Sequence, residues 1–563
     1  MSQPTLKRIS CKRCQYRKLR CSRTEPCTSC TESSQVCEYR ELDRKRRPAS
    51  AEYVAGLENR IASLESFIKR VQAATPEERD SMLDKAQFGD HFPPSAVFTD
   101  GETSTGRNVS PRPQATLEPG PEGSLIYHGP TSIYYALLGR ISDRSVGSNL
   151  DQQHRSLSVT DYDSNFQSVA EHFGINMEDA QITSALMQFF KWQYPHFMFI
   201  YREAFLRDHF GDHQDCKYWS SALLLSVCAL GLLMSNDSLQ RQASEQFFVA
   251  AETILIVFGF TRPSIATVQA FLCLAFYEIG RGNLSKGWGF SGIAFRMAQD
   301  LGFQRDPKYW VSHDTSLATT EDIEIRRRIY WGCYTSDKLI CLILGRPVYF
   351  SFDGGEVESL ERLPDFPEMD ALLPLGFSSQ QGDFGEGNPL VPCFKNQIQL
   401  SRIMERMLST IFSSRTNDSR SHQAQLDYLN LELSRWQESL PDCAKWNKWE
   451  PPSSTLIPSV AALHLLFHGA RIALNFDSTV WDDQSAVQKS SRKYCVSSAH
   501  DIIFIIRKYR SQYGLRCAPF VLVYALAQAA RCVTIFGTVE ESHYLSRTLA
   551  ECSTTWKIGQ WNV

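Results

Sequence analysis

Residues 11–37 read CKRCQYRKLRCSRTEPCTSCTESSQVC and hold six of the seventeen cysteines: Cys11, Cys14, Cys21, Cys27, Cys30 and Cys37. Their spacing is C-x2-C-x6-C-x5-C-x2-C-x6-C, two like halves joined by a five-residue loop. C-x2-C lets two thiolates reach one zinc ion, and zinc takes four tetrahedral ligands. One ion would leave two of these cysteines unused. Two ions need eight bonds, and six thiolates supply eight if two of them bridge. The competing use of six cysteines, a disulfide framework, needs an oxidising compartment. The first residues, MSQPTLKRIS, lack the apolar core of a secretion signal. So short a segment cannot bury enough apolar surface to fold alone. Metal binding supplies the missing free energy, and metal loss is expected to unfold it.

Charge separates the halves. Two Zn2+ and six thiolates sum to −2, and nearby cations must offset that first. The first half carries Lys12, Arg13, Arg17, Lys18 and Arg20, whereas the second is almost free of basic residues. Residues 1–50 contain thirteen Lys/Arg against five Asp/Glu, while the rest of the chain has 46 against 57. A basic head on an acidic body points to a polyanion partner for the head alone.

Spacing and basic run together resemble the DNA-binding domain of fungal binuclear zinc-cluster transcription factors, whose motif usually reads C-x2-C-R-x-R-K-x-K/R-C. Here it reads CKRCQYRKLRC, with Gln15 in place of the first Arg. The resemblance implies bridging roles for Cys11 and Cys27 and a first helix aimed into the DNA major groove. It makes Lys18 the reader of a CGG-type half-site, since a Lys held there can donate to guanine O6 and N7. Arg17, Arg20, Arg13 and Lys12 are expected at phosphates, positioning the module without reading sequence. The domain is expected over residues 8–40, followed by a basic linker over 41–52. The run Arg44-Lys45-Arg46-Arg47 suits both DNA backbone and nuclear import.

Val54, Leu57, Ile61, Leu64, Ile68 and Val71 are spaced 3, 4, 3, 4, 3. This is a heptad seam with β-branched residues at a, which favours two parallel strands. A dimerising coiled coil is expected over 53–73; a helix packed on the body would show a similar stripe. Residues 74–164, rich in Pro, Gly, Ser and Thr, read as a mostly disordered tether.

From 165 to 563 apolar residues recur at helical spacing. Helices are expected at 182–190, 219–234, 245–258, 264–279, 284–301, 322–344, 397–412, 426–440, 459–475, 498–513 and 519–537. The fold class is therefore a small binuclear zinc-cluster domain plus a short parallel coiled coil, then a large all-α regulatory domain. Three stretches resemble the middle regulatory region of the same fungal family: FFKWQYPHFMFIYREAF (189–205), SKGWGFSGIAFRMAQDLGFQRD (285–306) and IRRRIYWGCYTSDKLICLILGRP (325–347). The first matches an aromatic helix. In the last, Trp331, Tyr334, Leu339 and Leu342 should face inward, and Asp337 should meet an Arg of the same layer. Gly302 and Gly345 sit at expected helix ends. Residues 353–390 hold nine Asp/Glu and one Arg among apolar residues. That is the composition of activation segments, and equally of a surface loop.

No catalytic constellation emerges. Gly287-x-Gly289-x-x-Gly292 has no preceding strand. His464 and His468 are four apart without the glutamate of a zinc-protease motif, and His209, His213 and Cys216 form a weaker cluster still. The other eleven cysteines read as buried, reduced thiols. No apolar run reaches a membrane-spanning length. The expected function is a nuclear, homodimeric, sequence-specific regulator of RNA polymerase II genes with two Zn2+ per chain. Its partners are CGG-containing duplex DNA, the transcription machinery and a small-molecule inducer, and its targets lie in nitrogen or carbon use or a secondary-metabolite cluster. The alternative is a ligand-binding or enzymatic helical body that carries a zinc-cluster head.

Overall fold

In the computed structural model the described residues are 11–38 without 18, 23, 25 and 34, then 116–119 and 125–128. Residues 168–557 follow, without 169, 176–179, 197, 212–215, 262, 307–318, 359–388, 412–418, 450–453 and 477–485. Three expectations fall outside them: the conformation of Lys18, the seam Val54–Val71, and most of the acidic stretch 353–390. The chain divides into two compact units, residues 1–58 and 59–563.

The head contains two one-turn helices, α1 (Lys12–Tyr16) and α2 (Thr28–Glu32), one in each cysteine half. Among its described residues only Cys11, Cys14, Cys27 and Cys30 are buried. Four thiols are no hydrophobic core, so what holds this unit must be ligation.

In the larger unit a short part of the stretch 74–164 pairs as a hairpin. Thr116–Pro119 (β1) pairs antiparallel with Leu125–His128 (β2), in the register Thr116↔His128 to Pro119↔Leu125. The intervening GPEGS, read as linker, has the length and glycines of a hairpin connection, and Leu-Ile-Tyr suits a strand. Every described element after it is helical.

The body's helices are α3 (Ala180–Gln188), α4 (Arg202–Phe210), α5 (Ser221–Leu233), α6 (Ser238–Phe258), α7 (Ile265–Gly280), α8 (Leu284–Asp300) and α9 (Thr320–Leu344). They continue with α10 (Leu390–Thr410), α11 (Ser419–Ser439), α12 (Pro458–Asn475), α13 (Ala486–Tyr513), α14 (Phe520–Phe536) and α15 (Val539–Cys552). The strand β2 runs beside α8.

Helices that are apolar on every side must sit inside. Thus α5 (SALLLSVCALGLL) and α7 are buried throughout and form the axis of the first half, with α3, α6 and α8 around them. The nearly all-buried α12 and α14 do the same for the second half, with α10, α13 and α15 around them. The pair α9–α10 joins the halves. At the α3–α5 crossing a Cβ on Gly231 would lie 2.0 Å from the Ala185 carbonyl oxygen, so only glycine permits that approach. Caps follow their sequence signals: Ser220, Asp237 and Ser264 accept backbone N–H bonds at the starts of α5, α6 and α7.

The expected helix over 189–205 is interrupted. Phe189–Gln193 form a π-helical turn, the following residues turn, and α4 starts only at Arg202. Pro195 explains the break: it has no N–H to continue the helical ladder and its ring clashes with the preceding turn, although Tyr194 before it keeps helical backbone. Helices α10, α11 and α13 begin earlier than their apolar periodicity indicates, and α15 was not read from the sequence.

Candidate metal centre and nucleic-acid interface

The thiols of Cys11, Cys14, Cys27 and Cys30 converge, all within 4.8 Å of one another. Cys11 Sγ lies 3.7 Å from Cys27 Sγ and 3.6 Å from Cys30 Sγ, and Cys14 Sγ lies 3.7 Å from Cys27 Sγ. Zinc–sulfur bonds of ~2.3 Å in a tetrahedron require a sulfur–sulfur edge of about 3.8 Å. The thiols therefore stand at the spacing zinc imposes. Cys11 and Cys27 touch each other, and each also touches a thiol of the opposite half. Cys21 and Cys37 pack against this group, and the Cys27 N–H points to Cys37 Sγ at 3.3 Å.

Without a cation this crowding opposes itself. Burial raises the Cys14 thiol pKa, and the neighbouring Cys11 and Cys27 raise it further. Burial acts likewise on Cys11 but is outweighed by hydrogen bonds from the Cys14 N–H and three neighbouring thiols, bringing it down to about 6. Thiols crowded this closely are completed by a divalent cation, which takes them as thiolates. Bound zinc would cross-link the two halves and neutralise most of the thiolate charge.

Local chain geometry supports the set. Cys27 is the extended residue before α2, and its carbonyl accepts from Cys30 and Thr31 N–H. The loop between the halves is closed by Thr28 N–H donating to Ser22 Oγ at 2.9 Å and by a Ser22–Thr24 hydroxyl contact at 2.8 Å.

The predicted basic residues separate. Arg17 and Arg20 are exposed at and after the end of α1, where a polyanion can reach them. Lys12 lies on α1, and Lys18 falls outside the described residues. Arg13 is half-buried and turned across the cluster toward Ser29 and Cys30.

In the body, the second and third family-like stretches, 285–306 and 325–347, meet. Arg327, from α9, forms a two-pronged ion pair with the fully buried Asp306 at 2.7 and 2.9 Å. It also holds Glu324 at 2.9 Å and Glu358 at 3.0 Å. Trp331, Tyr334, Leu339 and Leu342 are buried, as expected. Asp337 corrects its expectation: it pairs with Lys338 at 2.7 Å, and it accepts the N–H groups of Tyr349 and Phe350 at 3.0 Å each. Its role is to fasten the chain after Gly345, a left-handed helix end with φ 63°. These are structural devices.

The remaining clusters are structural too. Gly287, Gly289 and Gly292 all lie on α8, where a Cβ on Gly287 would strike Ile279 at 2.5 Å. His464 Nε2 contacts the Ala444 carbonyl at 3.0 Å, and both His464 and His468 are buried. Cys216 Sγ donates to the Asp208 carbonyl at 3.7 Å, and His213 lies outside the described residues. No described helix is long and apolar enough to cross a membrane.

A thiolate cluster in a basic head, preceding a helical body, defines a zinc-dependent DNA-binding regulator. Family comparisons agree: the model of the fungal Zn(2)-Cys(6) binuclear cluster domain matches residues 9–46, and that of the fungal specific transcription factor domain matches 186–438. The second match takes in the stretches 189–205, 285–306 and 325–347 and runs on past them to residue 438. An uncharacterized transcriptional regulatory protein of Schizosaccharomyces pombe is 30% identical over 94% of this chain and 82% of its own. Another from that yeast is 29% identical over 99% of this chain and 85% of its own. The activatory protein CHA4 of Saccharomyces cerevisiae is 27% identical over 94% and 82%. The chain belongs to the fungal binuclear zinc-cluster transcription factors, and it is a transcriptional regulator that carries a zinc cluster. No solved structure matches it.

Proposed function

We propose that this protein acts in the nucleus as a homodimer that binds paired CGG-type half-sites and sets the transcription of genes of one metabolic pathway. Each head, residues 8–40, holds two Zn2+ through Cys11, Cys14, Cys21, Cys27, Cys30 and Cys37, with Cys11 and Cys27 bridging. Lys18 reads guanine, while Arg17, Arg20 and Lys12 grip phosphates. The linker 41–52 and a coiled coil over 53–73 set half-site spacing, because one module over three base pairs reads too little sequence to be selective. The body from 165 to 563 regulates output without catalysing a reaction, and its inducer is a small molecule.

The observation that carries this reading is the convergence of four thiols at zinc spacing beside the exposed Arg17 and Arg20. Relatives described as transcriptional regulatory or activatory proteins support the regulatory role. The test is Lys18→Ala in competition binding. It should abolish preference for CGG-containing duplexes while leaving salt-sensitive residual binding, since a good base contact contributes about 1–3 kcal/mol of discrimination. Undiminished preference rejects Lys18 as the base reader.

A further inference from the structure

The second variable position of each C-x2-C is Arg13 in the first half and Ser29 in the second. These equivalent residues meet across the cluster. Arg13 Nη1 donates to the Ser29 carbonyl at 3.2 Å and to Cys30 Sγ at 3.8 Å. Ser29 Oγ in turn donates to the Arg20 carbonyl at 2.9 Å. Ser29, on α2, is thus held to the first half twice, once by α1 and once by the extended arm that carries Arg20. Arg13 is half-buried, whereas Arg17 and Arg20 are exposed.

We infer that Arg13 and Ser29 form a clasp that locks the two halves of the zinc cluster in register and fixes the DNA-facing arm at Arg20. Arg13 is a positioning residue on this view and makes no phosphate contact. Two chemical arguments support it. A guanidinium donating to a thiolate is a charge-assisted bond, stronger than a neutral one. Groups donating to a metal's ligands orient those ligands and help retain the metal, commonly by 10–100-fold in affinity. Moreover, a cluster of charge −2 needs cations at short range, and Arg13 supplies one from inside. Ser29 carries no charge, so any effect it has on DNA binding must pass through geometry.

The inference rests on the binuclear cluster, so the first measurement is the zinc content of the full-length wild-type protein. Fewer than two zincs per chain would overturn the cluster and the clasp together. With two present, Arg13→Met should transfer zinc to a colorimetric chelator about tenfold faster than wild type. Its log affinity against log salt should keep the wild-type slope. Ser29→Ala should lower DNA affinity about threefold, again at unchanged slope, as loss of one neutral hydrogen bond predicts. Wild-type zinc release by Arg13→Met, with a slope shallower by about 0.9, would overturn the clasp and make Arg13 a phosphate contact. Should Arg13→Met purify short of zinc, Arg13→Lys decides, since it keeps the charge but not the guanidinium. Faster release than wild type supports the clasp, and equal release overturns it.

Discussion

Cys14 and Cys273 are both buried thiols, and they do opposite things. Cys14 stands among three other thiols and lacks an apolar surround. Cys273 lies on the fully buried α7, where burial alone raises its pKa and keeps it a neutral thiol. The same contrast divides the molecule. The head is a ligation fold whose buried residues are its ligands, while the body is a packing fold in which cysteine is one small apolar residue among many. Spacing decides which role a cysteine takes: fixed in residues 11–37, scattered beyond.

The largest expected effect separates these two modes outright. Cys14→Ser should unfold the head and abolish DNA binding, because structural zinc in such modules contributes about 10–16 kcal/mol of folding free energy. The body's helical circular dichroism and thermal transition should stay as in wild type. A head that keeps native chemical shifts without zinc would erase the distinction. The reciprocal change is Arg327→Ala. It strands the fully buried Asp306 without its main counter-ion and should cost the body about 3–5 kcal/mol, read by denaturant unfolding, while the zinc content stays at wild type.

Acid should discriminate further. Burial first, offset partly by the Ala444 hydrogen bond, lowers the His464 pKa from 6.5 to about 4. The unfolded chain therefore binds a proton at this residue between those values and the folded chain does not. Stability is fully present above pH 6.5 and is lost as pH falls toward 4, by about 2 kcal/mol at pH 5 from this group. His468, lowered well below the ordinary histidine value by burial, acts in the same direction. Melting the body from pH 7 to pH 5 checks this, and His464→Gln should flatten the curve. An unchanged slope in that variant would mean that His464 is not neutral in the fold.

How much was legible follows the same division. Metal ligation demands fixed spacing, so the four converging cysteines, Cys11, Cys14, Cys27 and Cys30, were readable residue by residue. Helical packing demands only periodicity, so helix type was readable and boundaries less so. In α15 the buried face, Leu545, Thr548 and Cys552, is short and set among charged and polar residues, and the early turns of α13 are mostly polar, so neither stands out in the sequence. Side-chain partnerships were the least visible. Asp337 pairs with its chain neighbour Lys338, a combination that helix geometry ordinarily keeps apart. They meet because both reach the backbone of Phe350, beyond the helix end. Arg13, expected at phosphate, is turned toward Ser29 and Cys30, and a sequence does not show which way a guanidinium turns.

The smallest effect is also the sharpest test of the contrast between the thiols. Cys273→Ala removes one sulfur from a packed interior and should cost about 1 kcal/mol of body stability, the cost of a small cavity, with zinc content and DNA affinity untouched. Set beside Cys14→Ser, it compares one residue type at similar burial in two roles. In the folded protein, a thiol reagent should reach Cys443, which is exposed, well before Cys273. If Cys273→Ala instead lowered zinc content, the body would hold metal of its own, and the division between ligated head and packed body would fail where it is easiest to measure.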